Sequence, residues 1–180
     1  MKLMIASDLH GSMKYAKQMK QRYEAEGAEK LLLLGDLLYH GPRNDLPEEY
    51  APKEVISLLN AMKEEILCVR GNCEAEVDQM VLEFPVMADY MALFLNGHMI
   101  FVTHGHTHNT KNLPPLKKGD ILLHGHTHIP AAEVCGDIIY LNPGSLSIPK
   151  NGTPHSYMIY EDGVFTIKDL KGNPFLTYEM

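Results

Sequence analysis

Cysteine is scarce and basic charge is in deficit. Three cysteines, Cys68, Cys73 and Cys135, occur in 180 residues, and their odd number and irregular spacing imply no disulfide framework. A reducing cytoplasm is the expected compartment. Lys and Arg number 16 against 23 Asp and Glu, a formal charge of −7. That balance lacks the basic footprint a long nucleic acid requires. No apolar run approaches the roughly 20 residues of a membrane span. The stretch Met1–Asp8 turns polar too early for a secretory signal. What remains is a globular composition, 45% hydrophobic and 22% charged, read as one domain over residues 1–180.

The order of elements gives the class. Lys2–Ser7 reads as a buried strand, and a helix follows with Ser12 as N-cap and Gly27 as its stop. Lys30–Leu34 is a second buried strand. Turn chemistry fills Tyr39–Ala51, Pro52 opens a helix to about Lys63, and Ile66–Arg70 is a third strand. This β-α-β-α-β order predicts a right-handed, largely parallel sheet. Beyond Phe84, Asp89–Leu95 and His98–Thr103 flank Asn96-Gly97 as a hairpin, and Gly105–Gly119 is a loop. Asp120–His124, Ala132–Cys135, Ile138–Asn142, Ser156–Tyr160 and Val164–Asp169 read as further strands. With no linker between the halves, an α/β fold of two packed, mostly β sheets flanked by helices follows.

Polar residues gather where these strands end. Asp8 and His10 follow the first strand, Asp36 the second and Asn72 the third. The pentapeptide His-Gly-His-Thr-His occurs twice after apolar runs, at His104–His108 and His124–His128. Ligand sites of open α/β sheets form beyond the carboxyl ends of strands. Two carboxylates, an amide oxygen and four imidazoles favour first-row transition metals over calcium or magnesium. Seven donors are too many for one catalytic ion and suit two ions sharing a carboxylate.

In this order, Asp8-x-His10, Gly35-Asp36, Gly71-Asn72, His104 and Gly125-His126-x-His128 resemble the calcineurin-like metallophosphoesterases. Gly41-Pro42-Arg43-Asn44 and Asn142-Pro143-Gly144-Ser145 are similar to the small bacterial YfcE-type phosphodiesterase branch. The resemblance implies a four-layer α/β/β/α sandwich. It assigns Asp8, His10, Asp36 and His128 to one ion. It assigns Asn72, His104 and His126 to a second, with Asp36 bridging. It implies hydrolysis of a small phosphodiester by a hydroxide shared between two divalent ions. Manganese is the first expectation, with nickel, zinc, iron or cobalt as competitors.

One position departs from the family, which often places His after the Asn to protonate the leaving group. Here it is Cys73, whose thiol, of pKa about 8.5, is not a natural substitute. His106 is the candidate helper, with Asn72 and Cys73 as further candidate catalytic groups. Arg43 either contacts substrate phosphate or is an ordinary exposed cation. Cys73 either faces substrate and metal or is a small filler. His124 reads as a packed core histidine, and His108 as a solvated loop residue. A phosphomonoesterase on the same site is the alternative activity. A non-catalytic metal-binding interaction module, as the retromer subunit of this fold is thought to be, is the alternative class. The expected partner is a small-molecule phosphodiester, with neither membrane nor long nucleic acid, and a homodimer is the default assembly.

Overall fold

The computed structural model describes residues 1–180. The chain enters through β1 (Lys2–Ala6), whose residues beyond Lys2 are buried, and passes to α1 (Met13–Glu26). The Ser12 hydroxyl accepts the Tyr15 N–H at 3.4 Å, and Gly27 closes the helix at φ 64°. β2 (Lys30–Leu33) lies parallel to β1, and β3 (Ile66–Cys68) parallel to β2. Between them runs α2 (Pro52–Asn60), with proline in its first turn. It ends three residues short of the Lys63 read from sequence, and residues 61–65 continue as turns. α3 (Glu76–Val81) was not signalled by periodicity, because none of its residues is buried.

The second half is strand-rich. β4 (Tyr90–Leu95) and β5 (His98–Thr103) form the expected hairpin, with Asn96 and Gly97 at φ 48° and 81°. β6 (Ile121–Leu123), β7 (Ala131–Cys135) and β8 (Ile138–Asn142) complete a sheet ordered β4-β5-β6-β8-β7. β9 (Ser156–Glu161), β10 (Val164–Asp169) and β11 (Pro174–Glu179) return to the first sheet, ordered β11-β10-β9-β1-β2-β3. β1 to β3 are parallel and the returning strands antiparallel, so this sheet is mixed.

Alternation along the strands divides the core. Met4, Ala6, Leu31 and Leu33 face Tyr15, Met19, Val55 and Leu59 of the helices. Leu3, Ile5 and Leu32 face the opposite way and meet Ile100, Val102, Ile121 and Leu123 of the other sheet. The architecture is therefore two packed sheets flanked by helices, with α1 and α2 over the six-stranded sheet. The outer face of the five-stranded sheet carries Phe101, Leu122 and Ile138, and Leu116 of the 105–119 loop packs on them. No helix is long and apolar enough to cross a membrane.

Candidate metal centre

The parallel strands of both sheets release their loops towards one place. Asp8, His10, Asp36, His104 and His128 are all buried, His126 is half-buried and Asn72 is exposed. Asp8 Oδ1 is 3.2 Å from His128 Nε2 and 3.7 Å from His10 Nε2. Asp36 Oδ2 lies 3.8 Å from His10 Nε2 and 3.5 Å from His104 Nε2, so its carboxylate stands between two groups of donors. His104 Nε2 is 3.1 Å from Asn72 Oδ1 and 3.1 Å from His126 Nδ1.

Proton positions follow from the far side of each ring. Nδ1 of His10, His104 and His128 lies 2.7, 2.7 and 2.6 Å from the carbonyls of Tyr39, Leu34 and Ile148. A carbonyl only accepts, so each Nδ1 carries hydrogen and each neutral ring turns an Nε2 lone pair inward. The inward atoms are acceptors facing acceptors: His10 and His128 bring their Nε2 atoms to 3.3 Å. Asp8 Oδ1 is buried with no hydrogen-bond partner. Donors sharing an ion at about 2.0–2.2 Å stand about 3.0–3.4 Å apart, close to these separations. The residues present therefore fit divalent metal ions. Asp8 with His10 and His128, and Asp8 with Asp36 and His104, each form a compact group able to hold one.

The field points the same way. Burial opposes the charge on Asp8, yet the His128 ring at 3.2 Å and the other nearby imidazoles hold its carboxyl well below the usual range. Burial likewise opposes the His104 cation, but Asp36 Oδ2 at 3.5 Å and the charges of Asp8 and Asp36 raise that ring to about 9, so a proton on Nε2 competes with an ion for the place beside Asp36. His126, burdened by burial and by His104, falls to about 4. The centre thus favours positive charge placed against its carboxylates.

Backbone conformation is unusual in the same residues. Asp8, His10, Asp36, His126 and His128 have φ of 57°, 49°, 56°, 64° and 61°. Such left-handed conformations persist only where surrounding structure enforces them. Here Ser145 and Ser147 donate their hydroxyls to Asp8 O at 2.9 and 3.0 Å. Asn142 Nδ2 donates to Gly125 O at 2.9 Å and to Thr127 Oγ1 at 3.0 Å. The buried Glu74 carboxylate accepts the N–H groups of Asp36, Leu37 and Gly71 at 2.8, 2.7 and 2.5 Å. Burial and the charge of Asp36 push Glu74 up to about 7. None of these supports is assigned from sequence. The Asn142–Ser145 motif marks the place without indicating what it holds.

The other residues singled out lie around this cluster. Cys73 donates its N–H to Asp36 Oδ1 at 2.9 Å, and burial and the Asp36 charge raise its thiol well above the ordinary range. His106 is exposed, its ring 5.5 Å from that of His104. Burial of part of that ring and the charge of His104 lower its basicity. Arg43 is exposed and lines a cavity of about 430 Å³ with Asn44, Asn72, Cys73, His126 and Lys150. His124 is buried, as read, with Nδ1 on Gly125 O at 2.9 Å. His108 differs from its reading: it is half-buried, edge-on to Phe101 at 5.7 Å, because the loop folds back over the sheet.

The chain is similar to known proteins. Residues 1–162 match the calcineurin-like phosphoesterase superfamily domain. The phosphodiesterase YfcE of Escherichia coli is 47% identical over 93% of this chain and 91% of its own. The solved structure of the E. coli YfcE phosphoesterase superposes with a TM-score of 0.96 at 44% identity, covering 99% of both chains. Vacuolar protein sorting 29 of Cryptosporidium parvum shares the fold at TM-score 0.62 and 16% identity, over 99% of this chain and 98% of that one. On the match across residues 1–162 and the YfcE relationship, the chain belongs to the calcineurin-like phosphoesterase superfamily.

Proposed function

We propose that the protein is a metal-dependent phosphodiesterase acting on a small phosphodiester in a reducing cytoplasm. The observation that carries the metal half of this reading is the set of inward-facing lone pairs around Asp36. The likeness to E. coli phosphodiesterase YfcE supports the reaction. Asp8, His10, Asp36 and His128 would hold one ion, and Asp36, Asn72, His104 and His126 a second, with manganese the first candidate. Two divalent ions there supply Lewis acidity that activates water and neutralises phosphoryl charge.

The chain's own groups do the remaining work. Carbonyls of Tyr39, Leu34 and Ile148 hold three imidazoles in one tautomer and orientation, so no reorganisation is needed when charge develops. Arg43 and Lys150, which line the cavity of about 430 Å³, attract the phosphate anion. His106 stands beside the cluster and delivers a proton to the departing ester oxygen. Cys73 remains a thiol and serves as wall and weak donor rather than nucleophile.

The test strips the protein with chelator, restores manganese, nickel, zinc or magnesium, and compares bis(p-nitrophenyl) phosphate with p-nitrophenyl phosphate. Metal-restored diester hydrolysis, absent in Asp36→Asn, is the expected result. Preference for the monoester would replace this reading with a phosphomonoesterase. Metal binding without turnover of either would replace it with a binding module.

A further inference from the structure

The metal centre opens on two sides, and the two openings differ in chemistry. The smaller cavity is polar: Cys73 is its one hydrophobic lining residue, and Arg43 and Lys150 bring positive charge. The other cavity, about 670 Å³, lies over the outer face of the five-stranded sheet. Ile129, Pro130, Ala131, Tyr140 and Leu176 give it apolar walls. His126 and Thr127 line both cavities, so the two meet at a residue of the cluster. In the wall of the larger one, His124 is 2% exposed and its Nε2 has no hydrogen-bond partner. With Nδ1–H committed to Gly125 O, that Nε2 is an acceptor left for a donor from outside the chain.

A phosphodiester has two organic arms, and a phosphorus held at the cluster must send them in different directions. We propose that the two cavities are unequal arm subsites and that the substrate class is an asymmetric phosphodiester. Its ring-bearing arm, of aryl or nucleoside size, occupies the larger cavity beside His106, and its small hydrophilic arm lies against Arg43 and Lys150. Both volumes fall within the range of sites that enclose a small ligand, about 300–1,000 Å³, so it is the apolar walls of the larger cavity that assign it the ring-bearing arm. This inference rests on the phosphodiesterase reading.

The experiment narrows the larger cavity and leaves the cluster alone. Ala131, opposite Asn142 on edge strand β7, and Leu176, exposed on edge strand β11, are replaced separately by Trp. Manganese-loaded wild type and both variants are assayed on bis(p-nitrophenyl) phosphate, which has two bulky arms, and methyl p-nitrophenyl phosphate, which has one. A131W and L176W should each lower kcat/KM on the diaryl ester by about tenfold or more, the loss of roughly 1.4 kcal/mol of arm binding. They should lower the methyl ester by a similar factor, because its single aryl arm takes the same cavity. Loss on the diaryl ester alone, which would seat the methyl ester's ring in the smaller cavity, or no loss on either ester, would overturn the inference. Unchanged manganese binding by calorimetry reports that a variant is folded with its cluster intact, and L176W decides if A131W is not. Saturation-transfer NMR with thymidine as probe reads the cavity without turnover. Transfer is expected to wild type and not to A131W or L176W, and absence of transfer to wild type counts against the subsite. If wild type hydrolyses neither ester yet binds thymidine, the phosphodiesterase reading fails and the cavity assignment does not.

Discussion

The pentapeptide His-Gly-His-Thr-His follows β5 and again follows β6, and its copies are built differently although the strands lie side by side. Val102 is level with Leu123, and both face the inter-sheet core. Two residues beyond Val102 stands His104, whereas two beyond Leu123 stands Gly125. Strand alternation therefore sends His104 inward to Asp36 and His124 outward against Tyr140, its ring 4.6 Å away. The first copy then turns at Gly105, φ 115°, leaving His106 exposed and His108 on Phe101. The second keeps left-handed backbone at His126 and His128, which bends both rings back into the cluster. Identical letters acquire different roles from a one-residue offset in the sheet.

The largest effect expected separates the two last histidines. Replacing His128 by Ala should lower metal-dependent diester turnover by more than about 100-fold, since ligand loss exceeds the effect of removing outer supports. Replacing His108 by Ala should leave kcat/KM unchanged; an equal loss in both, measured by steady-state kinetics, would erase the distinction. The glycines come next. An added Cβ at Gly125 would lie 1.9 Å from Ser7 Oγ and 2.8 Å from Asp8 Oδ2, and one at Gly105 2.5 Å from His124 Nδ1. Both Ala variants should lose about 1–3 kcal/mol in denaturant melts. Only Gly125→Ala should also weaken metal binding by calorimetry, because only there is Asp8 displaced.

The first histidines should differ in the sign of their pH dependence. In chelated protein His104 is raised to about 9, so its stabilisation is complete below about 6.5 and is lost as pH rises through 9. Burial depresses His124 to about 4, so its stabilisation is present above about 6.5 and is lost as pH falls through 4. Melts from pH 4 to 10 should lose the alkaline slope in His104→Gln and the acid slope in His124→Gln. The smallest effect belongs to the threonines. Thr127 Oγ1 accepts from Asn142 Nδ2 at 3.0 Å, whereas Thr107 is exposed. Thr127→Ala should cost about 1 kcal/mol and Thr107→Ala nothing measurable by melting.

Much of this is legible in the letters. The buried runs at Lys2–Ala6, Lys30–Leu33 and Ile66–Cys68 are apolar and bounded by turn residues, and Asn96-Gly97 announces its hairpin. β11 is missed although Phe175, Thr177 and Tyr178 favour strand, because it opens on Pro174 and is largely exposed, so no apolar alternation marks it. At the site, Asp8, His10, Asp36 and Asn72 stand out because polar residues directly after buried strands need a reason. The parity that separates His104 from His124 is readable once the sheet register is known, but a register between β5 and β6 belongs to neither segment alone. The triple acceptance by Glu74 joins the loops after β2 and β3, and no spacing encodes it.

The left-handed backbone at Asp8, His10, Asp36, His126 and His128 also limits how this site can be retuned. Among residues with a Cβ, Asp, Asn and His tolerate that conformation best, while bulky or branched residues do not. Exchanging His128 for Glu, or Asp36 for Cys, would change the donor atom and also oppose the backbone beneath it. A lineage, or an engineer, seeking a different metal preference therefore works against a backbone bias at these positions, one that the chain overrides elsewhere at Glu49, φ 49°. The carbonyls and hydroxyls behind the ligands are free of that bias, so selectivity shifts through them at less backbone cost.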